Sequence, residues 1–353
     1  MADSPAISVL IPTHQRREAL RRVLLSLAEQ SAPAENYEVV VSIDGSSDGS
    51  AETVASLDVP YPLTATAGPA RGRAAAVNSA LALARGEVLV ILDDDMRASK
   101  GFIERHRSHH PPGSRLCVVG AAPIELDDAS PRAARWARDK FNEHLSRLAR
   151  PGHEFTARDF YSGNASLRAE TMREAGGFSE SFAVYGNEDV DLSLRLRALG
   201  VEILYDPEAL AIQSYGKDLR SLAADTTQKG QTATILARAH PGAFAELKLA
   251  NPWDGSRPWL AKRSVLLWLS RRLPSVRRAT IAAAVFLEGA GLWRSPLFYR
   301  AVLDYAFCRC RRRAARIHPR GRPRTARPRT PPWPDRSTTT PIAASSAAPR
   351  SRC

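Results

Sequence analysis

An apolar run that ends in three aspartates constrains the fold of this chain more than any other segment. Residues 88–92 read Val-Leu-Val-Ile-Leu, and Asp93, Asp94 and Asp95 follow directly. A short run without polar alternation is typical of a strand that is buried on both faces, as in a parallel sheet. Open α/β sheets bind ligands outside the carboxyl ends of their strands, so the sequence predicts a ligand next to this acidic triplet.

The acidic triplet has two interpretations. Three adjacent like charges repel each other, and a divalent cation is one reason for a folded protein to keep them together. Mg²⁺ suits such a site because it binds through one or two carboxylates and completes its shell with substrate phosphates. The other interpretation is a solvated acidic turn, and the triplet alone leaves both open.

Strands and helices alternate through the first hundred residues. Predicted strands end at Pro12, Ile43, Thr66 and Leu92, and a predicted helix follows each of the first three. The first helix has apolar residues at helical spacing, namely Leu20, Val23, Leu24 and Leu27. Strand–helix–strand units in series predict an α/β fold, with a doubly wound, mostly parallel central sheet and helices on both faces.

Two polar segments complete the pattern of candidate functional residues. Residues 44–49 read Asp-Gly-Ser-Ser-Asp-Gly, and such small turn residues let a ligand approach the backbone. Residues 186–197 begin Gly-Asn-Glu-Asp-Val-Asp and continue with helical Leu and Arg spacing. Glu188 and Asp189 are then either reactive acids or helix N-terminal acids, which the helix dipole stabilises by about 0.3–1 kcal/mol each.

Five segments in order resemble a family 2 glycosyltransferase of the GT-A fold. They are residues 8–13, 44–49, 72–81, 92–95 and the pair 163–168 with 186–197. The resemblance covers about residues 6–215. It implies a nucleotide-diphosphate sugar donor, an acceptor hydroxyl, Mg²⁺ or Mn²⁺ as cofactor, and a single displacement with inversion at the sugar carbon.

The resemblance also implies roles for individual residues. Asp93 and Asp95 match the metal-binding Asp-x-Asp motif of the family. Asp189 matches the general base, and Glu188 would orient the acceptor or position that base. The expected nucleotide-sugar contacts are Thr13, Asp44, Arg73, Asp94 and Asn164. Thr13 is equally suited to cap the helix that follows it, and Arg73 to lie on a solvated helix face.

Two positions depart from the family pattern. Ile43 precedes Asp44 where the family usually has two acids that read the nucleobase and ribose. Gln213 stands near the place where relatives often have a histidine that completes the metal shell. These departures motivate an alternative function from another class, a catalytically silent sugar-nucleotide-binding protein.

The basic charge of the chain lies in its tail. The net charge is +13, but the residues from Arg309 onward contain 13 Arg and one acid, which leaves +1 for the remaining 308 residues. We therefore expect no nucleic-acid partner. Four cysteines fit neither a zinc site nor a disulfide framework, and no signal peptide or spanning apolar run is evident. We expect a cytoplasmic protein.

We expect three regions along the chain. Residues 1–215 form the GT-A glycosyltransferase domain, residues 216–318 a helical C-terminal extension, and residues 319–353 a disordered tail rich in Arg, Pro and Ser. Residues 253–318 either shape the acceptor site or lie on the inner face of an anionic membrane, with Arg at the rim. The acceptor is left open, with a lipid-linked molecule or a polysaccharide as candidates.

A histidine cluster also falls in the first region. His106, His109 and His110 lie on a predicted helix over residues 102–110, which Pro111 and Pro112 end. The cluster is either functional or an exposed helix end.

Overall fold

The computed structural model describes residues 5–243, 265, 268, 274–292, 295–315 and 341–343. Eleven strands lie in these parts of the chain: β1 (Ile7–Thr13), β2 (Tyr37–Asp44), β3 (Leu63–Gly68), β4 (Val88–Leu92), β5 (Met96–Ala98), β6 (Leu116–Gly120), β7 (Ile124–Glu125), β8 (Asn164–Arg168), β9 (Glu202–Asp206), β10 (Ala211–Ser214) and β11 (Pro341–Ala343).

Ten α-helices and two 3₁₀-helices lie in the same parts. The α-helices are α1 (Arg17–Ala28), α2 (Ser50–Ser56), α3 (Arg73–Leu83), α4 (Phe102–Ser108), α5 (Arg132–Leu148), α6 (Ala169–Glu174), α7 (Glu188–Ala198), α8 (Leu219–Ala239), α9 (Pro274–Gly289) and α10 (Pro296–Ala315). The 3₁₀-helices are Ala34–Asn36 and Pro241–Ala243.

The central sheet has the strand order β11-β3-β2-β1-β4-β8-β6-β9. Strands β3, β2, β1 and β4 are parallel, β8 runs antiparallel between β4 and β6, and β6 is parallel to β9. In the register, Val9 pairs with Val39 on one side and Val90 on the other. The predicted mostly parallel α/β sheet is confirmed.

The central strands are buried on both faces, as their apolar sequences require. Val9 and Val90 pack in one core cluster with Leu20 of α1, whereas Leu10 and Leu89 pack on the opposite face with residues of α3. Each of these side chains is fully buried, which stabilises the fold by about 1.5–3 kcal/mol per residue. Helices on both faces thus fix the carboxyl ends of β1 and β4 side by side.

A small second sheet lies at the end of β4. Its strand order is β5-β10-β7, and Gln213 of β10 pairs with Met96 of β5. The N–H of Ser214 donates to the carbonyl oxygen of Asp95 over 2.9 Å. This sheet therefore brings Gln213 next to the acidic triplet, although more than a hundred residues separate them along the chain.

The C-terminal helices pack against the first part of the chain. Ala284 of α9 and Phe298 of α10 share a core cluster with Ala133 of α5 and Leu219 of α8. A Cβ at Gly230 of α8 would approach the carbonyl oxygen of Phe307 to 2.4 Å, so α8 and α10 are in close contact there. The predicted domain boundaries remain a prediction.

Several large apolar side chains of the C-terminal region are exposed. More than half of the surface of each is accessible to solvent, and they are Val265, Trp268, Phe286, Leu292 and Leu297. Among the described residues, no helix combines the length and apolarity needed to cross a membrane. The expected membrane contact of residues 253–318 stays a prediction.

Most of the predicted disordered tail lies outside the described residues, as do residues 253–273 of the expected helical extension except 265 and 268. Within the tail, β11 forms a short edge strand antiparallel to β3, with Ile342 opposite Ala65.

The histidine cluster is not the exposed helix end that one interpretation gave. His106 and His110 are buried, and both contact the hydroxyl of Ser166 over 2.8 Å. His109 lies 2.6 Å from a carboxylate oxygen of Asp206. Burial lowers the pKa of His106 to about 4 and that of His110 to about 3, so both rings are neutral at pH 7. The cluster forms a polar network between α4 and the sheet.

Candidate active site

A crevice of about 990 Å³ opens at the carboxyl ends of β1 and β4. Its floor carries the acidic triplet, one wall comes from the loop before α3, and the opposite wall from residues 183–190 and α8. Phe307 of α10 also lines it. The sheet topology therefore places the crevice where the sequence predicts a ligand.

Asp94 is the most deeply buried acid of the triplet. It accepts a hydrogen bond from the hydroxyl of Thr13 over 2.7 Å and another from the guanidinium of Arg16 over 2.9 Å. Burial raises its pKa, while Arg16 and Thr13 oppose the rise. Thr13 thus lines the crevice by holding Asp94, and its side chain makes no cap of α1.

Asp95 contacts the same arginine. The guanidinium of Arg16 donates to its carboxylate over 3.0 Å, and the amide of Gln213 lies 3.3 Å away on the other side. Burial, followed by the charge of Asp93, raises the pKa of Asp95 to about 6. The triplet consequently holds more negative charge than Arg16 compensates, which favours the approach of a further cation.

Asp93 and Asp189 both contact the guanidinium of Arg73. Arg73 of α3 donates to Asp93 over 2.7 Å, and its guanidinium also lies 3.5 Å from a carboxylate oxygen of Asp189. The hydroxyl of Ser162 donates to the same oxygen of Asp189 and accepts from Arg73 over 2.9 Å. Acids 96 positions apart therefore lie in one cluster, and Arg73 is no solvated surface residue.

Asp44 lies in the crevice at the end of β2. Its carboxylate accepts the backbone N–H groups of Arg71 and Gly72 over 2.7 and 2.9 Å, which fixes the loop before α3. Gly72 has a φ of +94°, and a Cβ there would approach the carbonyl oxygen of Ala183 to 2.6 Å. This position therefore requires glycine, and the loop brings Arg73 to the acids.

Glu188 differs from the other acids of the site because one of its carboxylate oxygens is buried without a hydrogen bond among the described residues. It is 3% exposed at the start of α7, and its Oε2 atom makes no hydrogen bond within the described residues. Burial, followed by the charge of Asp189, raises the pKa of Glu188 to about 7. A buried acceptor atom without a donor is rare, so this atom marks a place where a ligand can donate.

Asn164 is not placed as the resemblance implies. It is fully buried; its amide nitrogen donates to the carbonyl oxygens of Ala121 and Ala209, and its amide oxygen contacts His106. All of its polar atoms are therefore used by the protein, because β8 points this side chain away from the crevice. Asp191 of α7 also has its carboxylate occupied by protein groups, because it pairs with Arg195 and His240.

Sequence reasoning missed three residues that shape the site. Arg16 clamps two acids, Ser162 bridges Arg73 and Asp189, and Gly163 makes room for Asp93. A Cβ at Gly163 would lie 2.5 Å from a carboxylate oxygen of Asp93. The only sequence signal for them is proximity to the motifs, since their partners lie far away along the chain.

The residues present suit a hard divalent cation. Within the described residues, no three His, Cys, Asp or Glu side chains are grouped to hold a metal by themselves. Asp93 and Asp95 nevertheless offer carboxylate oxygens, the ligands that Mg²⁺ and Mn²⁺ prefer, whereas the amide nitrogen of Gln213 donates to Asp95. Mg²⁺ usually completes such a shell with water and substrate phosphates, so two carboxylates suffice.

Comparison with known proteins agrees with this geometry. The family model "Glycosyl transferase family 2" matches residues 8–174, and the model "N-terminal domain of galactosyltransferase" matches residues 143–215. The mannosyltransferase PcManGT from Pyrobaculum calidifontis, solved in complex with GDP-Man and Mn²⁺, has a TM-score of 0.55 at 21% identity and covers 87% of both chains. At this identity the likeness concerns the fold, and it confirms the expected GT-A architecture.

Two curated relatives extend the match beyond the first domain. Validoxylamine A glucosyltransferase of Streptomyces hygroscopicus subsp. jinggangensis is 28% identical over 269 residues, 69% of this chain and 63% of its own. Pre-mycofactocin glycosyltransferase of Mycobacterium tuberculosis is 26% identical over 254 residues, 69% of this chain and 50% of its own. The chain thus spans less than two thirds of the length of these relatives. The family model "Glycosyl transferase family 2" thus matches just under half of the chain, and the fold and the acidic crevice lie mainly within the matched residues.

Proposed function

We propose that this chain transfers a sugar from a nucleotide-diphosphate donor to an acceptor hydroxyl, with inversion at the sugar carbon. The observation that carries the proposal is the contact of Arg73 with both Asp93 and Asp189. A metal-side acid and a candidate base, distant in sequence, thereby face one crevice. The named activities of the glucosyltransferase and glycosyltransferase relatives support the same reaction class.

The donor occupies the side of the crevice formed by β1, β2 and the loop before α3. Thr13, Asp44 and Arg73 line this side, and Arg73 supplies a cation for the donor diphosphate. The Asp44 carboxylate already binds two backbone N–H groups, so it shapes the pocket for the nucleoside through the loop. The neighbour of similar fold was solved with GDP-Man, a donor of this class.

Asp93 and Asp95 would hold Mg²⁺ or Mn²⁺ in this proposal. When bound, such an ion acts as a Lewis acid that stabilises the charge of the departing diphosphate. The chain contributes the position of the two carboxylates, which Arg73, Arg16 and Gly163 fix. Burial, followed by the charge of Asp93, raises the pKa of Asp95 to about 6, and a bound cation would favour its charged form.

Asp189 takes the proton of the acceptor hydroxyl. Its carboxylate is partly exposed to the crevice and is held by Ser162 and Arg73, so its orientation is fixed before the acceptor arrives. General-base catalysis of this type is typically worth about 10²–10⁴-fold in rate. In the same proposal Glu188 orients the acceptor molecule. Its Oε2 atom has no hydrogen bond within the described residues and can accept one from a second group of that molecule.

A two-step experiment tests the function. A thermal-shift screen of UDP-, GDP- and dTDP-sugars with and without Mn²⁺ identifies the donor, because a ligand that binds only the folded state raises the melting temperature. The stabilising donor is then incubated with the chain, and sugar release or transfer is measured for wild type and Asp189→Asn. Metal-dependent turnover that falls in the variant supports the proposal. Binding with no turnover in either protein would instead indicate a catalytically silent sugar-nucleotide-binding protein.

A further inference from the structure

The wall of the crevice opposite the donor side carries two lysines around one aromatic ring. The ammonium groups of Lys217 and Lys229 each lie 5.0 Å from the ring centre of Tyr185. All three residues line the crevice, and Tyr185 is 41% exposed to it. The two positive charges repel each other, which costs electrostatic free energy. Cation–π attraction to the ring offsets this cost only in part.

The two lysines differ in how their charge is compensated. Lys217 forms an ion pair with Asp225 over 2.5 Å. Lys229 forms no ion pair within 4 Å in the described part of the chain, although Tyr185 and the carboxylates of Glu188, Asp189 and Asp225 raise its pKa. Lys217 is thus neutralised by direct contact, whereas the ammonium of Lys229 lines the crevice without a carboxylate in contact among the described residues.

The group is held rigidly although part of it lies on a loop. The N–H of Tyr185 donates to the side chain of Gln228 over 3.0 Å, and the amide of Asn187 donates to the carbonyl oxygen of Lys229 over 2.9 Å. Gly186 has a φ of +106°, and a Cβ there would meet Cγ of Lys229 at 2.4 Å. The loop before α7 is therefore fastened to α8, which fixes the ring and both lysines relative to Asp189.

We propose that Tyr185, Lys217 and Lys229 form a subsite for a phosphate group carried by the acceptor. The inference rests on the proposed function and deepens it by naming the acceptor class, a phosphorylated molecule with a free hydroxyl. Lysine binds phosphate as a compact charge, and an aromatic ring beside it packs against the apolar part of the same molecule.

The position of Lys229 distinguishes the acceptor from the donor as the source of this phosphate. Lys229 lies against Gly186, and its carbonyl oxygen accepts a hydrogen bond from the amide of Asn187; these two residues directly precede Glu188 and Asp189. A donor diphosphate instead has to lie against the metal-side acids and Arg73. The anion at Lys229 therefore belongs to the molecule whose hydroxyl faces Asp189.

A simpler role for Lys229 would be to offset the charges of Glu188 and Asp189. That role requires no ligand, and it predicts that replacing Lys229 changes the pH dependence of turnover. The subsite predicts instead that the variant loses affinity for phosphate. The two roles are thus separated by a binding measurement that involves no turnover.

Calorimetric titration of inorganic phosphate into the full chain tests the subsite. Wild type, Lys229→Met and Lys229→Arg are compared, with Lys100→Met as a control for the same change at an exposed lysine outside the crevice. Methionine keeps the apolar stem that packs on Gly186 and removes the charge. We expect Lys229→Met to weaken phosphate binding about tenfold or more, Lys229→Arg to retain it, and Lys100→Met to match wild type.

The same titration with saturating nucleoside diphosphate and Mg²⁺ identifies the source of the phosphate. Additive binding of both ligands supports the acceptor subsite. Displacement of phosphate by the nucleoside diphosphate would overturn it, as would equal phosphate affinity in wild type and Lys229→Met or no binding in wild type. Failure of the proposed function is a separate result, because it is observed as nucleotide sugars that give no thermal stabilisation or no turnover, whereas the phosphate titration alone reports on Lys229.

Discussion

The two sides of the crevice differ in how their charges are satisfied. On the donor side, Asp93 pairs with Arg73, and Asp94 and Asp95 share Arg16. On the acceptor side, Glu188 leaves one buried oxygen without a donor, and Lys229 lacks a carboxylate partner within the described residues. Each of these acids on the proposed donor side therefore contacts an arginine, whereas the proposed acceptor side keeps a carboxylate oxygen and an ammonium group without such a contact.

This difference follows from the position of each side in the fold. The triplet follows β4 at the centre of the sheet, where buried charges require partners because desolvation would otherwise cost several kcal/mol per ion. Glu188 lies at the first turn of α7, where the helix dipole supplies part of the compensation. The acceptor side can therefore keep polar atoms free for a ligand at a lower cost in stability.

The largest expected effect comes from replacing Asp189, the proposed general base on the acceptor side. Asp189→Asn should lower the transfer rate by about 10²–10⁴-fold, because the amide cannot take the proton of the acceptor. Binding of the donor should change little, since the metal-side acids are intact. Steady-state rates and donor thermal shifts measure the two quantities. A variant with wild-type turnover would remove Asp189 from the reaction.

The next effect disturbs the donor side alone. Gly163→Ala places a methyl group 2.5 Å from the Asp93 carboxylate and so displaces it. Misplacement of a positioned group by about 1 Å can cost about 10²-fold in rate, and we expect a loss of this order together with a weaker metal-dependent thermal shift. Gly101→Ala is the matched control, because nothing lies within 4 Å of a Cβ there. Equal activity of both variants would contradict the role of Gly163.

A smaller effect tests the free acid of the acceptor side. The pKa of Glu188 is raised to about 7 in the folded chain from 4.5, so the folded state binds this proton more tightly than the unfolded state. The free energy of unfolding should therefore fall as the pH rises from about 4.5 through about 7. Glu188→Gln removes this dependence, and its stability relative to wild type should rise by about 1–3 kcal/mol between pH 4 and pH 8.

Urea denaturation of both proteins at pH 4 and pH 8 measures this change. Any constant effect of the new amide cancels, because only the difference between the two pH values is compared. A stability difference that is the same at both values would mean that Glu188 titrates normally and that its environment does not penalise the charge.

The sequence predicted the residues whose chemistry is visible in a motif. Asp93, Asp95 and Asp189 were expected in one crevice because strand ends converge and the family pattern is complete, and the structure brings these residues together. Arg16 escaped prediction because its partners are 78 and 79 positions away and no motif links them. Lys229 escaped because it lies on a helix that the resemblance does not cover.

Asn164 shows the opposite failure of sequence reasoning. It lies within a block that resembles the family, yet β8 turns its side chain into the network of His106 beneath the sheet. Strand side chains alternate between faces, so a motif on a strand has half of its residues directed away from the ligand. The direction of each residue depends on the register with β4, where Asn164 pairs with Leu92.

The smallest expected effect comes from the tail, whose described residues 341–343 pair with β3 and do not line the crevice. Removal of residues 316–353 deletes β11, whose three residues pair with the edge strand β3. Each lost hydrogen bond is worth about 0.5–1.5 kcal/mol, and release of each ordered residue returns a similar amount of conformational entropy, about 1–2 kcal/mol. The free energy of unfolding should therefore change by less than about 1 kcal/mol.

The truncation lowers the net charge of the chain from +13 to +5. Any salt-sensitive affinity of the full chain for DNA should disappear with the tail, because such affinity reflects the release of counterions by clustered cations. The metal-dependent thermal shift with the nucleotide-sugar donor should be unchanged, since Asp93, Asp95 and Arg73 remain. A truncated chain that kept its DNA affinity would place the basic surface on the folded domain and would require that the lysines around Tyr185 be tested against nucleic acid as well as phosphate.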